Sequence, residues 1–279
     1  MSDRSLHNKR IAKNTLFLYL RMGLVLVVSL FSTRVVLQAL DIEDYGINNV
    51  VSGFVTMFAF LNTSMSNGVQ RFYNFSLGRK NGYSIKDVYN TALQIQGILV
   101  VILLVLLETF GMWYIHTQMV IPIDRFAAAQ WVFQFSVLSL VLLVLQIPYS
   151  AAIMAYEKMD YYAYLSIFEV LAKLGVAYVI KYTTFDKLIL YGALNMLVSL
   201  ICFFLYYGYA KSHFQDLKSD FIIRKQLFKP MLYFSGWNGF GSFAYMIKSQ
   251  GLNMLLNVFF GPVVNAARGV SNMAMSAIQ

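Results

Sequence analysis

Residues 245–272 read YMIKSQGLNMLLNVFFGPVVNAARGVSN. Lys248 sits inside a long apolar run, the run breaks at Gly261-Pro262, and a second helix then starts that carries Arg268. An ammonium inside an apolar helix is expensive, and such groups persist where they face a bundle interior or a wet cavity. The chain opens on the same plan. A first apolar helix over residues 14–39 carries Arg21 and Arg34, and the break DIEDYG (41–46) leads into the next helix. Sliding this helix pair along the chain lays VVLQAL (35–40) over the run from Met254 to Phe260 with similar polarity. The end of the sequence therefore reads as a second copy of its beginning.

Composition places that pattern in a membrane. Hydrophobic residues make up 58% and charged residues 13% of the 279, against about 45–50% and about 25% in soluble domains. Mean hydropathy is +0.59. The net charge of +9 does not indicate nucleic acid, because the basic residues sit at helix ends and inside apolar runs with no basic stripe. Cys202 is the single cysteine, which excludes an intrachain disulfide and a Cys-rich metal site. The basic start (Arg4, Lys9, Arg10, Lys13) leads into an apolar run longer than a signal-peptide core, with no small-residue cleavage site, so the first helix is expected to be retained.

A bilayer core needs about 20 apolar residues per helix. Six spans are expected, at 14–39, 46–69, 88–115, 127–152, 162–181 and 188–210, with a seventh over 231–259 and an eighth starting near 263. Lys and Arg are unevenly shared between the connections. Fourteen lie in the N-terminal tail, 70–87, 153–161 and 211–230, against two in 40–45, 116–126 and 182–187. The positive-inside rule then puts the N-terminus in the cytoplasm. The six spans return the chain to that side, so the second copy enters with the orientation of the first, as a parallel repeat. Residues 1–210 form a six-helix lobe on this reading, 211–230 a cytoplasmic amphipathic linker, and 231–279 the start of a second lobe. The third, fourth and sixth spans are rich in Leu, Val, Ile and Phe and read as lipid-facing or packing helices. The second span is unusually polar, through Asn48, Asn49, Ser52, Thr56, Asn62, Thr63, Ser64, Ser66 and Asn67. Two readings stand for it, interhelical hydrogen bonding and the wall of a watery cavity.

The charges within the spans are mostly basic. Arg21, Arg34, Lys173, Lys248 and Arg268 stand against Glu108 and Glu169, and Arg71 closes the second span at its cytoplasmic mouth. Snorkelling to the interface is the readier account of Arg34, and Glu108 reads as interfacial. It competes with a cavity role at Arg21, Arg71 and Arg268, and is least credible at Lys248. Glu169 and Lys173 are four apart and share a helix face, either as a self-neutralising pair or as a cation tuned by its carboxylate. A basic lumen suits an anionic substrate, with Arg as a bidentate phosphate partner and Lys as a point charge. His7, His116 and His213 make no metal set, and no P-loop or nucleophile elbow is present. No catalytic residue, metal or cofactor is expected.

Three stretches carry a resemblance: DYGINNVVSG (44–53), AYEKM (155–159) and above all LLNVFFGPVVNAARGVSN (255–272). They resemble Wzx-type polysaccharide and O-antigen flippases of the multidrug/oligosaccharidyl-lipid/polysaccharide exporter (MOP) superfamily, most similar to those of Bacteroidetes-like bacteria. The resemblance implies an all-α, MATE-like bundle of two six-helix lobes around a cavity open alternately to each side of the bacterial inner membrane. It implies transport of an undecaprenyl-pyrophosphate-linked oligosaccharide from inner to outer leaflet, and cationic residues that receive the pyrophosphate. By position these are Arg21, Lys173, Lys248 and Arg268, with Arg34 and Arg71 as further candidates and Glu169 as the charge-tuning acid. Polysaccharide polymerase and glycosyltransferases are the protein partners it suggests, beside the lipid bilayer itself. On this reading the chain is C-terminally truncated, holding the first lobe and only the start of the second. The alternative on the same fold is a MATE-like cation-coupled multidrug antiporter, against which the lack of a buried carboxylate cluster counts. A membrane enzyme would need a large outside loop with catalytic Arg or His, which the sequence lacks.

Overall fold

The computed structural model describes residues 2–78, 82–117, 119, 121–217 and 226–244, and omits the side chains of 2–14 and 42. The described residues contain no strand. Five helices are long and apolar enough to cross a membrane: Thr15–Asp41, Ile85–Thr117, Ile123–Ala155, Met159–Lys181 and Lys187–His213. Their outward faces carry Leu16, Leu20, Val27, Val101, Val105 and Phe204, all well exposed. Apolar surface of that extent is stable against lipid and not against water.

The first helix, α1 (Ser2–Thr56), is interrupted at Asp41, whose φ of 64° and ψ of 169° are not helical. That is backbone space that glycine alone enters readily, and holding a non-glycine residue there costs about 1–3 kcal/mol. The break expected at 41–46 is thus a sharp redirection at a single residue. The expected second span becomes the rest of α1, a 3₁₀ turn at Met57–Ala59 and α2 (Phe60–Leu77). It is helical and of membrane length, but its amide and hydroxyl side chains keep it out of the apolar five. After it come α3 (Ile85–Leu106), a π turn at Leu107–Gly111, α4 (Met112–Thr117), α5 (Phe126–Ala155), α6 (Met159–Lys181) and α7 (Lys187–His213). α5 is the centre of the bundle and packs on α7, α2, α3 and α1, while α1 lies along α6. Val132, Phe133, Val144 and Ile147 bury the core face of α5.

Side-chain contacts sort the connections to the two ends as the charge asymmetry does. At one end Arg125 grips Asp44 in a fork, with Nε donating to Oδ1 at 2.8 Å and Nη2 to Oδ2, while its Nη1 donates to Asp186 Oδ2 at 2.7 Å. Asp186 also caps α7, its Oδ1 accepting from the amides of Leu188 at 3.0 Å and Ile189 at 3.1 Å. One guanidinium therefore ties the start of α1's second half to the starts of α5 and α7. At the other end Tyr156 stacks on Phe214 at 4.2 Å, and Lys211 Nζ lies 4.9 Å from the Tyr89 ring centre. Arg125→Ala leaves Asp44 without its guanidinium and Asp186 with only the cap amides of Leu188 and Ile189. The cluster is half-buried, so the cost falls between that of an exposed pair and a broken buried one, about 1–3 kcal/mol. The melting temperature in detergent should drop by several degrees, and an unchanged melt would make the fork dispensable.

α7 runs on to His213, Phe214 to Leu217 form a turn, and residues 226–244 are again helical. The helix expected from 231 is thus already formed at 226, its Leu227 and Met231 are buried, and so is Leu217 of the preceding turn. This segment packs along α2: Ser64 Oγ donates to the Ser235 carbonyl, Phe72 meets Phe234 edge-on at 6.5 Å, and Phe60 lies 5.5 Å from Phe243.

Candidate groove between α1, α2, α5, α6 and α7

Two cavities adjoin inside the bundle. The first, of about 390 Å³, is lined by Arg21 of α1, Asn62 and Ser66 of α2, Gln146 and Ser150 of α5, and Tyr162 of α6. The second, of about 300 Å³, is lined by Asn48 and Ser52 of α1, Ser136 and Ser139 of α5, Lys173 of α6 and Asn195 of α7. Leu143 and Glu169 line both. The two adjoining cavities together make up the groove, with Glu169 in their common wall, Arg21 in the first and Lys173 in the second.

The electrostatics follow from which charges are already paired. Lys173 Nζ donates to Glu169 Oε1 at 2.6 Å, the i to i+4 pair that the sequence spacing allows. Both side chains are partly open to the groove, at 44% and 40% exposure, so each keeps room for a further partner. Arg21 has no carboxylate partner among the described residues. Its guanidinium carbon lies 4.7 Å from the centre of the Tyr162 ring, and its Nε is buried without a hydrogen-bond partner. A ring face orients a guanidinium and leaves its in-plane donors unspent. An unsatisfied buried donor of this kind costs about 1–3 kcal/mol until something accepts from it.

The other predicted site residues are not gathered here. Arg34 is exposed and lines neither cavity. Arg71 lies over the Phe234 ring at 4.0 Å and the Phe75 ring at 5.1 Å, at the contact between α2 and the 226–244 helix. Lys248 and Arg268 lie outside the described residues. Glu108 is exposed, and Gln134 Nε2 donates to its Oε2 at 3.0 Å.

Both readings of the polar second span hold, for different residues. Asn48, Ser52, Asn62 and Ser66 line the groove, while Ser64 bonds across to Ser235. The fourth and sixth spans are more than the lipid-facing or packing helices expected. As α5 and α7 they supply Ser136, Ser139, Gln146, Ser150, Asn195 and Ser199. The α5 residues fall at offsets of three, ten and fourteen from Ser136, which is one helix face. That polar stripe was the signal in an otherwise apolar run. A third cavity, of about 470 Å³, lies by Asn49, Phe54, Met57 and Tyr114; its lining carries no Lys, Arg, Asp or Glu. Size alone does not mark the site.

No protein-family model and no curated protein matches the chain. Among solved structures, a MOP superfamily transporter from Pyrococcus furiosus Vc1 (DSM3638) superposes with a TM-score of 0.73 at 12% identity, over 95% of this chain and 61% of that one. For that protein, reverse polarity of the binding pocket suggests a different function. This chain spans about three-fifths of that transporter's length. The chain has the fold of a MOP superfamily transporter: an all-α, multi-pass membrane bundle.

Proposed function

We propose that this chain is the first lobe, with the start of the second, of a Wzx-type flippase. It moves an undecaprenyl-pyrophosphate-linked oligosaccharide from the inner to the outer leaflet of a bacterial inner membrane, and it is a transporter and not an enzyme. Residues 1–210 are the lobe, 211–230 the cytoplasmic linker and 231–279 the start of the partner lobe, with the N-terminus cytoplasmic. The observation that carries the reading is the groove's charge: two cations, Arg21 and Lys173, stand against one carboxylate, Glu169, which pairs with Lys173, among amides and hydroxyls inside a membrane bundle. An unpaired guanidinium presents donors in the planar fork that phosphate oxygens accept. Lys173 is a point charge held in reserve by Glu169. Lys248 and Arg268 extend the same cationic character into the second lobe.

Carrying one charge across the membrane potential is worth about 2.3 kcal/mol per 100 mV, so an inside-negative potential favours outward movement of the anionic pyrophosphate, and each charge the groove neutralises gives up that share of the drive. Polysaccharide polymerase and glycosyltransferases would act on either side of this step.

Deletion of the full gene tests the reading. An impermeant probe applied to sealed cells and to inverted vesicles reports which leaflet holds the lipid-linked oligosaccharide. Confinement to the inner leaflet is the expected result, and normal appearance in the outer leaflet would contradict it. Glu169→Gln gives a second expectation. It frees Lys173 and raises the groove's charge by one, so binding of inorganic pyrophosphate to the full-length protein should tighten about tenfold, about 1.4 kcal/mol. It should also become more sensitive to salt. Equal affinity in the variant would remove Glu169 from the tuning role.

A further inference from the structure

We infer that Glu108 and Gln134 form a binding site for the primary-amine headgroup of a membrane phospholipid, on the outward seam between α3–α4 and α5. The site lies outside the groove and does not depend on the cargo proposed for it.

The seam belongs to the apolar outer surface of the bundle. Ile98, Val101, Ile102 and Val105 are exposed along one stripe of α3, and Glu108 is exposed on the next turn of that stripe. It stands in the π turn Leu107–Gly111. On that turn Gly111 sits against α5, where a Cβ would lie 2.7 Å from the Phe133 ring, and Glu108 lies beside Gln134. Gln134 Nε2 donates to Glu108 Oε2 at 3.0 Å. Nearer the helix ends, Gln130 Nε2 lies 3.1 Å from His116 Nε2, so polar pairs continue along the seam toward Arg125. A carboxylate on a face of this kind is costly and persists where a charge pairs with it. The amide of Gln134 is a neutral donor, and Glu108 forms no ion pair among the described residues.

The depth suits a headgroup. Ile85–Thr117 and Ile123–Ala155 are 33 residues each, about 50 Å at the α-helical rise. A hydrocarbon core is about 30 Å thick, so about 10 Å of a centred helix projects at either end. Glu108 is nine residues from Thr117, about 14 Å, which puts it about 4 Å inside the boundary at the Arg125 end of the bundle. Trp113 and Trp131 are exposed on the water side of the pair, and tryptophan collects at that level in membrane proteins.

The chemistry selects the headgroup. Oε1 of Glu108 and Oε1 of Gln134 have no partner among the described residues, and both only accept. A primary ammonium brings a positive charge and three donors. Headgroups without an amine are anionic and are repelled by Glu108. A choline headgroup has the charge and no N–H. A bare calcium ion takes six to eight oxygens, and this pair offers far fewer. A second copy meeting this face across a two-fold axis would bring the same residues to Glu108, and its exposed neighbours Thr109, Phe110, Trp131 and Leu138 supply no cation.

The test is native mass spectrometry of the full-length protein in a neutral detergent, with dioleoyl phosphatidylethanolamine, phosphatidylcholine and phosphatidylglycerol added in equal amounts. The ethanolamine lipid should be retained at least threefold over each of the others. Glu108→Gln keeps the side chain's shape and should bring that ratio close to one. Glu108→Lys should turn the preference toward phosphatidylglycerol. O-phosphoethanolamine, which carries the same amine without acyl chains, should leave the bound lipid in place. No preference in the wild type, a preference that survives Glu108→Gln, or displacement by O-phosphoethanolamine would each overturn the inference. A dimer that Glu108→Gln dissolves would overturn it too, by placing a second copy on the seam. None of these readouts involves transport, so the lipid site and the flippase reading fail separately.

Discussion

Arg21→Ala in the full-length protein is expected to lower the rate of flipping by about 10- to 100-fold with no loss of membrane insertion. The magnitude comes from one charge-assisted hydrogen-bond partner, worth about 1.5–3 kcal/mol, at about 1.4 kcal/mol per tenfold. The fold should tolerate the change. Arg21 forms no salt bridge among the described residues, its Nε is unsatisfied, and it holds only the ring of Tyr162. Removing it takes away a buried donor with no partner and so relieves a cost. Arg21→Lys should recover part of the rate, because the charge survives and the planar fork does not. Tyr162→Leu should resemble a milder form of Arg21→Ala, since the guanidinium would lose the surface that aims it. The check is leaflet distribution of the lipid-linked oligosaccharide in a deletion strain complemented with each variant at matched protein level. Wild-type flipping in Arg21→Ala would take the guanidinium out of the transport path.

The second large effect is steric. A Cβ built at Gly68 lands inside the Ser235 hydroxyl, with the Ser235 Cβ 3.1 Å and Cα 3.4 Å away, so α2 and the 226–244 helix approach closely there. Small residues make such crossings in membranes, where close approach replaces the missing hydrophobic drive. Gly239 repeats the device one turn on, with Ser64 Oγ 3.2 Å from its Cβ position. Two terms compete in Gly68→Ala. Helix propensity favours alanine by about 1 kcal/mol, and overpacking opposes it by about 1–3 kcal/mol. The contact is with a hydroxyl and with Ser235's backbone-proximal atoms, so the steric term wins and the melting temperature should fall. Gly68→Val should fall further and part the two helices. Ser235→Gly should restore Gly68→Ala, since it removes both side-chain atoms in the way. Restoration failing would mean that the helices do not cross at this pair.

Much of the fold was legible because its signals are local. The apolar runs gave the five helices long and apolar enough to cross a membrane, and DIEDYG marked the redirection at Asp41. Glu169 and Lys173 were legible as a pair because four residues on a helix is one turn, and the structure joins them at 2.6 Å. What distance in sequence hides is of another kind. Arg125 looked like a loop charge; its partners Asp44 and Asp186 lie 81 and 61 residues away, and nothing in the spacing connects them. The serine face of α5 was masked by the apolar residues around it. Average hydropathy reports what surrounds a helix, whereas the groove is made by the few positions that depart from the average. Arg21 was singled out as a buried charge, but its unspent donors and its seat on Tyr162 come from α6 crossing α1, which only the packing shows.

Recognition of a phosphate group through Arg21 is the property on which the proposed transport turns. Its most direct test is equilibrium binding of farnesyl pyrophosphate, a short soluble polyprenyl pyrophosphate, to the purified full-length protein and to Arg21→Ala, each across a range of salt. Saturable binding that weakens at least tenfold in the variant is the predicted result, with farnesol, which lacks the phosphates, binding both proteins alike and more weakly. Equal affinity of wild type and variant for the pyrophosphate would contradict the account.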